Sequence, residues 1–295
     1  PWARTTGLFG INTASVGGLE AMKNNIAGLA QDSSTEIGLS HGVYLSGTGI
    51  NINDIGITQK LGEVGVLGIN IFSMSFGDIP TTDYFNPEGY GTYHPQFLNI
   101  TLGFAKQFST HINGGLSATY VSEQINNISA LGLAFDGGIQ YATGKRDNFH
   151  FGISLRNIGT NMRYTGSGFA ISADQPQSSP TFAVTGNYPS DKFEMPTNLN
   201  IGASYDWYLD ENHLSSKESL PMHRLTVLGN FTSNSFNNDY IGGGLEYGFR
   251  SLFMLRAAYR YESGIGSPST TTSMFKGYSF GATVQTRING PKSPM

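Results

Sequence analysis

The chain has 295 residues, of which 13% are charged and 39 are glycine, with a formal net charge of −4 and no cysteine. A soluble domain usually carries about twice this charged fraction, and its glycine content averages about 7%. The composition is typical of a β-barrel wall, although a glycine-rich secreted β-protein has a similar one. No basic patch suggests nucleic acid as a partner.

The first 33 residues differ from the rest of the chain. Leu19, Met22, Ile26 and Leu29 recur at helical spacing, and no long alternating run occurs among them. This predicts a short helix or a folded plug before the first strand, with a surface arm as the alternative. Because the chain begins at Pro1 without a methionine or an apolar signal region, we expect an exported protein whose signal peptide has been removed.

From Thr35 onward, apolar and polar residues alternate, as Asn198 to Trp207 illustrates. Successive side chains of a strand point to opposite faces, so one face of each strand is apolar and often ends in tyrosine or tryptophan. Transmembrane β-strands show this pattern over about 10 residues. The pattern predicts twelve strands, at 35–44, 48–60, 63–75, 96–108, 111–123, 130–142, 148–158, 197–209, 223–234, 238–249, 252–263 and 276–287.

The chain length suits a barrel of about 14 antiparallel strands, since a strand with its connection takes about 20 residues. The weakly alternating segments 160–170 and 178–188 could supply the last two. Long connections alternate with short turns, as in outer-membrane barrels, and a sheet in lipid must close because its unpaired edges are costly. We therefore predict a plug at 1–33, a transmembrane β-barrel at 34–288 and a tail at 289–295. No apolar stretch is long enough for a transmembrane helix. The four long connections are 76–95, 160–195, 210–221 and 264–275.

Short glycine-rich phrases resemble a known family. Asn24 to Leu29 resembles the Asn-Pro-Ala-Gly-Leu signature near the N-terminus of FadL-superfamily barrels, although Ile26 stands where the family has proline. The segments 137–141 and 152–159 resemble phrases of the PorV/PorQ family of Bacteroidota. The chain lacks the terminal aromatic residue that many outer-membrane barrels carry.

The resemblance implies a 14-stranded outer-membrane barrel with its N-terminal segment in the lumen, where Asn25, Ala27 and Gly28 fix the plug. PorV-type proteins belong to the type IX secretion system. They associate with a large translocon barrel and bind the C-terminal domains of secreted cargo. FadL-type relatives instead carry hydrophobic small molecules. We therefore expect a non-enzymatic outer-membrane component of PorV/PorQ type; the alternatives are a FadL-like transporter and an accessory barrel of another outer-membrane machine. No cofactor is implied.

Several charged residues share the strand face opposite to the aromatic residues. Charge on a lipid-facing position costs roughly 2–4 kcal/mol for arginine at the bilayer midplane, so these side chains should point into the lumen. They would form either an ion-pair network or the lining of a selective conduit. They are Asp136, Arg156, Glu246, Arg256, Arg260 and Glu262.

The predicted loop 76–95 contains three prolines and several aromatic residues. Tyrosine offers a large contact area at low entropic cost, so Tyr84, Phe85, Tyr90 and Tyr93 suggest a protein-contact surface. The alternative is that these rings pack on the barrel rim. The loop 160–195, with Phe169, Phe182, Tyr188 and Phe193, is a second candidate.

The chain shows no catalytic or metal-binding signature. Its six histidines lack metal-ligand spacing, and no serine lies in a nucleophile elbow. The glycine runs Gly137–Gly138 and Gly242–Gly244 lie inside alternating segments, which indicates a close approach of strands or of a plug rather than a phosphate-binding loop.

Overall fold

The computed structural model describes residues 2–32, 34–174, 183–210, 221–267 and 275–286. Helix α1 (Ala3–Gly7) is followed by two 3-10 helices, Gly18–Lys23 and Ile26–Gln31, and a third such helix spans Ser167–Phe169. None of the described helices is long and apolar enough to cross a membrane. The strands are β1 Thr35–Tyr44, β2 Ile50–Lys60, β3 Val66–Ser75, β4 Ile79–Thr81, β5 Gly91–Tyr93, β6 Gln96–Gln107, β7 Ile112–Ile125, β8 Ile128–Thr143, β9 Phe149–Gly159, β10 Thr165–Gly166, β11 Ala170–Asp174, β12 Ala183–Asn187, β13 Asn198–Tyr208, β14 His223–Asn234, β15 Tyr240–Phe249, β16 Phe253–Glu262 and β17 Tyr278–Val284.

One antiparallel sheet dominates the molecule, in the order β1-β2-β3-β6-β7-β8-β9-β13-β14-β15-β16-β17. These are the twelve predicted segments, with bounds within three residues wherever the structure describes them; the predicted end of the last strand at residue 287 lies outside the described residues. The agreement reflects the two-residue period, which each strand carries in its own sequence.

The segments predicted at 160–170 and 178–188 do not supply two further long strands of this sheet. Strands β11 and β12 pair only with each other, and β10 adds two residues to β8. The described sheet thus has twelve long strands and one short one, not fourteen. Residues 178–182 of the second predicted segment lie outside the described residues, as does the predicted tail 289–295.

The outer face of the sheet is apolar and the inner face is polar. Leu133, Phe135 and Leu255 are among the exposed side chains, whereas Asn70, Thr226 and Glu246 are buried. A soluble β-sandwich buries its apolar face, so the observed polarity is inverted. An apolar outside around a polar inside is the arrangement of a wall that lies in lipid.

The connections between wall strands differ in length on the two sides of the sheet. Because the strands alternate in direction, the long connections after β3, β9 and β16 lie on one side, which we call the long-loop side. The opposite, short-turn side carries the turns 61–65, 108–111, 144–148 and 250–252. The predicted long connection 210–221 departs from this asymmetry, because it follows β13 on the short-turn side; its residues 211–220 lie outside the described residues.

The N-terminal segment, residues 2–32, lies against the inner face of the sheet. Trp2 approaches Gly38 of β1, and Gly7 approaches Gly281 of β17. The segment therefore touches both ends of the strand order, which requires the sheet to curve around it. Among the described residues no ladder joins β1 to β17, and helix α1 lies along the inner side of this gap.

Candidate functional site: the interior around the N-terminal segment

Asn25 joins the N-terminal segment to the middle of the sheet. Its side chain is buried, and Nδ2 donates to the carbonyl oxygens of Thr13 (3.0 Å), Ile139 (3.1 Å) and Ile153 (3.3 Å). Its Oδ1 accepts from the backbone N–H of Ala27 and so caps the second 3-10 helix. One amide thus ties the segment to itself, to β8 and to β9.

Glycine allows the segment and the sheet to approach each other closely. A Cβ on Gly138 would overlap the side-chain oxygen of Asn25, and a Cβ on Gly28 would overlap the carbonyl oxygen of Val16. The predicted role of the glycine runs as points of close approach is confirmed at Gly138 and Gly242. Other wall glycines whose missing side chains would meet the N-terminal segment are Gly38, Gly56, Gly68, Gly103, Gly115, Gly152, Gly202, Gly244 and Gly281.

A cluster of ion pairs fixes helix α1 to the wall. The Glu246 carboxylate is fully buried and accepts hydrogen bonds from Arg4 (Nε 3.1 Å, Nη2 3.2 Å), Arg224 (3.2 Å) and Arg256 (3.0 Å). A third hydrogen bond of Arg4 runs from Nη1 to the carbonyl oxygen of Ser15. The carboxylate therefore holds together the segment and strands β14, β15 and β16.

On the short-turn side, this cluster borders a polar cavity of about 620 Å³. Arg4 and Arg224 line it together with Asp206, whose carboxylate lies 3.3 Å from Nε2 of His150. Glu20 adds a second carboxylate and accepts from the hydroxyl and the N–H of Thr5. Basic and acidic groups thus face each other across a space that is wide enough for water and small solutes.

Two further predicted interior charges lie together on β16, near the long-loop side. Arg260 Nη2 is 3.8 Å from the Glu262 carboxylate. Its guanidinium lies over the rings of Phe9 (4.3 Å) and Tyr240 (4.6 Å), so cation–π contacts hold it between the segment and β15.

The remaining predicted charges, Asp136 and Arg156, lie on the inner faces of β8 and β9. The Asp136 carboxylate is buried and accepts from Ser117 Oγ (3.2 Å) and the N–H of Asn157 (2.7 Å). Arg156 is half-buried. The six predicted charges thus form separate groups rather than one continuous line.

Lys23 is a cation of the N-terminal segment that faces this interior. Its Nζ lies 5.1 Å from the ring centre of Phe72, and Asp54 is the acid that most favours its charged form. Burial lowers the pKa of Lys23 to about 8. A change of one pH unit around this value therefore alters the charge inside the sheet.

Above Lys23, toward the long-loop side, most inward side chains are apolar, with Asn99 beside Phe72 as a polar neighbour. Ile52 and Phe72 lie on the same strand faces as the buried Asp54 and Asn70, so they also point inward. Unlike Asp54 and Asn70, they are only half-buried. The ring of Phe97 packs edge-on against Phe76 at 4.9 Å. We call this the inner apolar surface; it comprises Ile50, Ile52, Phe72, Met74 and Phe97.

The connection between β9 and β13 covers another part of the interior. Met162 and Met195 pack with Ala130 and Ala134 of β8, and the ring of Phe193 stacks on Tyr164 at 5.5 Å. This explains why residues 160–164 do not extend the wall, since they fold across its inner face. Of the aromatic residues predicted as contacts in this loop, Phe193 is therefore partly buried and Tyr188 is exposed, while Phe182 lies outside the described residues.

The connection 76–95 is an ordered hairpin formed by β4 and β5. The Asp83 carboxylate accepts from the N–H groups of Phe85 (2.8 Å) and Asn86 (2.7 Å), which fixes the tip. Tyr84 and Phe85 are 92% and 85% exposed and meet edge-on at 5.4 Å. Tyr90 is also exposed, whereas Tyr93 is half-buried.

Sequence reasoning missed several residues of the interior. Arg224 and Asp54 occupy inward positions of predicted strands, so the alternation contained their signal. Arg4 and Lys23 lie outside the strands, where no period indicates which side chain reaches the wall.

The described chain is an all-β wall with an apolar exterior that curves around its own N-terminal segment. No model of a known protein family matches the chain, and no curated protein sequence matches it. Solved structures of FadL-type hydrocarbon channels share its fold. The Pseudomonas putida toluene transporter TodX has a TM-score of 0.52 and 13% identity, over 85% of this chain and 82% of that one. The TodX deltaS2S3 mutant monoaromatic hydrocarbon channel has a TM-score of 0.56 and 13% identity, over 88% of this chain and 82% of that one. The CymD monoaromatic hydrocarbon channel has a TM-score of 0.52 and 13% identity, over 88% of this chain and 84% of that one.

Proposed function

We propose that the protein is a non-enzymatic outer-membrane channel for apolar small molecules. The observation that carries this proposal is the inner apolar surface, which lies inside a fold shared with hydrocarbon channels. A wall that served only as an anchor would need no apolar side chains on its inner face. Binding sites for small apolar compounds are lined in this way.

The polarity of the sheet supports the location in a membrane. Exposed apolar side chains cover the outer face from β1 to β17, and soluble monomers rarely expose a continuous apolar surface of this extent. The long-loop side then faces outward and the short-turn side faces the periplasm, as in other outer-membrane barrels.

The N-terminal segment would act as the plug of this channel. It separates the inner apolar surface from the polar cavity on the short-turn side. Passage of a solute then requires a movement of the segment relative to the wall. The bonds of Asn25 and the ion pairs of Glu246 would keep the plug closed at rest.

Entry of radiolabelled toluene into cells that lack their own hydrocarbon channels tests the proposal. An outer membrane with a lipopolysaccharide leaflet is needed, because toluene crosses simple lipid vesicles unaided. We expect faster entry with the protein than with an empty vector. Entry should fall to the vector level in the double variant Ile52→Asn, Phe97→Asn, which makes the inner apolar surface polar.

Ser122→Asn is the matched control, because Ser122 lies on β7 but points outward. It should leave toluene entry unchanged. Heat-modifiability on gels verifies that each variant is folded. Equal entry with the protein and with the empty vector would refute the channel proposal.

A second candidate is a PorV/PorQ-type component that binds a large translocon barrel or the C-terminal domains of secreted cargo. The exposure of Tyr84 and Phe85 at an ordered tip favours it, because exposed aromatic rings at a fixed position suit protein recognition. This candidate has its own test.

Replacement of Tyr84, Phe85, Tyr90 and Tyr93 by alanine should abolish co-purification of a large membrane partner. Phe236→Ala is the control, since Phe236 is also exposed and lies on the long-loop side. Unchanged co-purification in the fourfold variant would exclude the loop as the binding site.

A further inference from the structure

The apolar band on the outer face is short on strands β1 and β2. On β2, only Ile55 and Ile57 separate the outward polar residues Asn53 and Gln59. Six residues of a strand tilted by about 40° span roughly 15 Å of bilayer thickness, whereas the apolar band of such walls is about 25 Å tall. On β1, Ile37 and Leu39 likewise lie between Thr35 and His41.

Elsewhere the band is tall enough to span the membrane. On β8, the outward face is apolar or glycine from Leu131 to Tyr141, and its polar limits are Ser129 and Thr143. These fourteen residues span roughly 35 Å by the same estimate. The short band of β1 and β2 is therefore not shared by β8.

Polar groups on the β1–β3 face form rows across the strands. His41 Nδ1 lies 2.8 Å from Asn53 Oδ1, and Asn53 is in register with Ser73. The next row contains Asn51 and Ser75, and it continues outside this face through Gln96 and Gln124 to Ser129, the polar limit of β8. Amide and imidazole groups in contact with lipid tails would lose hydrogen bonds to water without replacement.

The same face has a groove that a protein side chain can enter. The groove has a volume of about 480 Å³, and its lining includes the outward residues Leu39, His41, Ile71 and Ser73 and reaches the inward residues Ser40 and Asp54. Strand β1 also ends the described sheet, and Ile37 and Leu39 are 71% and 75% exposed. Apolar and polar contacts are thus available side by side.

We propose that the β1–β3 face is the interface with a second copy of this chain in the membrane. The outward residues of β1, β2 and β3 include no charged side chain, so two copies would not repel each other. Asparagine, serine and histidine both donate and accept hydrogen bonds, which makes the face complementary to itself about a two-fold axis. The contact would bury the polar rows and leave the tall bands in lipid.

The mass of the purified protein in detergent and energy transfer between labelled copies in vesicles test this interface. We expect a dimer. The triple variant His41→Leu, Asn53→Leu, Ser73→Leu makes the face apolar, so lipid can cover it. This variant should be monomeric. Leucine at the outward serines Ser122, Ser129 and Ser233 is the control, and this variant should remain a dimer.

Because the chain contains no cysteine, single cysteines report the geometry directly. Asn53→Cys should cross-link to its own copy in vesicles, and Ser233→Cys should not. A monomeric wild-type protein in vesicles would overturn the proposal, since lipid would then cover the face. A dimer that survives the triple leucine change would overturn it as well, and so would association in native membranes with another protein alone.

Discussion

The Glu246→Gln substitution tests the ion-pair cluster that ties helix α1 to the wall. Glutamine keeps one acceptor oxygen but removes the negative charge that three arginines share. The side chain of Arg256 is completely buried, so water cannot replace the lost anion there. Arg4 and Arg224 are about a quarter and a third exposed, and water compensates them in part.

Leaving a buried charge without its partner costs about 3–5 kcal/mol. We therefore expect the free energy of unfolding to fall by this amount, almost entirely because of Arg256. We also expect α1 to loosen, because Arg4 keeps at most one of its two bonds to residue 246 and loses the attraction of the negative charge. The substitution should therefore lower the stability of the wall and loosen the N-terminal segment at the same time.

Urea titration in lipid vesicles measures both effects. The chain has two tryptophans, so a Trp207→Phe background leaves Trp2, which packs against Gly38 beside α1, as the only reporter. Its emission should shift to the red in Glu246→Gln. Glu123→Gln is the control, because the Glu123 side chain is half-buried and accepts a hydrogen bond from the Tyr164 hydroxyl. The amide oxygen of glutamine can accept the same hydrogen bond. If Glu246→Gln costs no more than Glu123→Gln, the cluster does not hold the segment.

Three further predictions concern the N-terminal segment. Gly138→Val should displace Asn25 and speed trypsin cleavage at Lys23, whereas Gly229→Ala, at an open outward position, should not; equal cleavage of both variants would contradict the close packing. Asn25→Ala should lower the free energy of unfolding by about 1–3 kcal/mol in urea titration, because buried carbonyl groups lose their donor; an unchanged midpoint would contradict this role. The Lys23 pKa of about 8 lies below the unfolded value of 10.5, so the unfolded chain binds more protons between these pH values. Stability should therefore rise from pH 8 to pH 10.5, and this rise should be absent in Lys23→Met when both are compared by urea unfolding.

The strands were predictable because their information is local. The bounds of β1 and β14 match the predicted segments, since each strand repeats an apolar and a polar residue over at least ten positions. The same reasoning failed at 160–170. Met162 and Tyr164 are apolar at a spacing of two, but they pack inward on β8 rather than pair as a wall strand.

The interior could be predicted only in part. Alternation placed Glu246 and Arg256 on one face, and their register in neighbouring strands brings them together. It gave no sign of Arg4, which lies 242 residues from Glu246 in the sequence. The aromatic loop was recognised by its composition, but the exposure of Tyr84 and Phe85 follows from the turn at Asp83.

The sequence by itself determined the strands, their two faces and the inward direction of the wall charges, because a two-residue period and the cost of charge in lipid act on neighbouring residues. The tertiary structure alone decided which groups meet inside. Asn25 reaches Ile139, and Arg4 reaches Glu246, only because the sheet curves around the N-terminal segment. Such contacts depend on the path of the whole chain, and no local pattern records them.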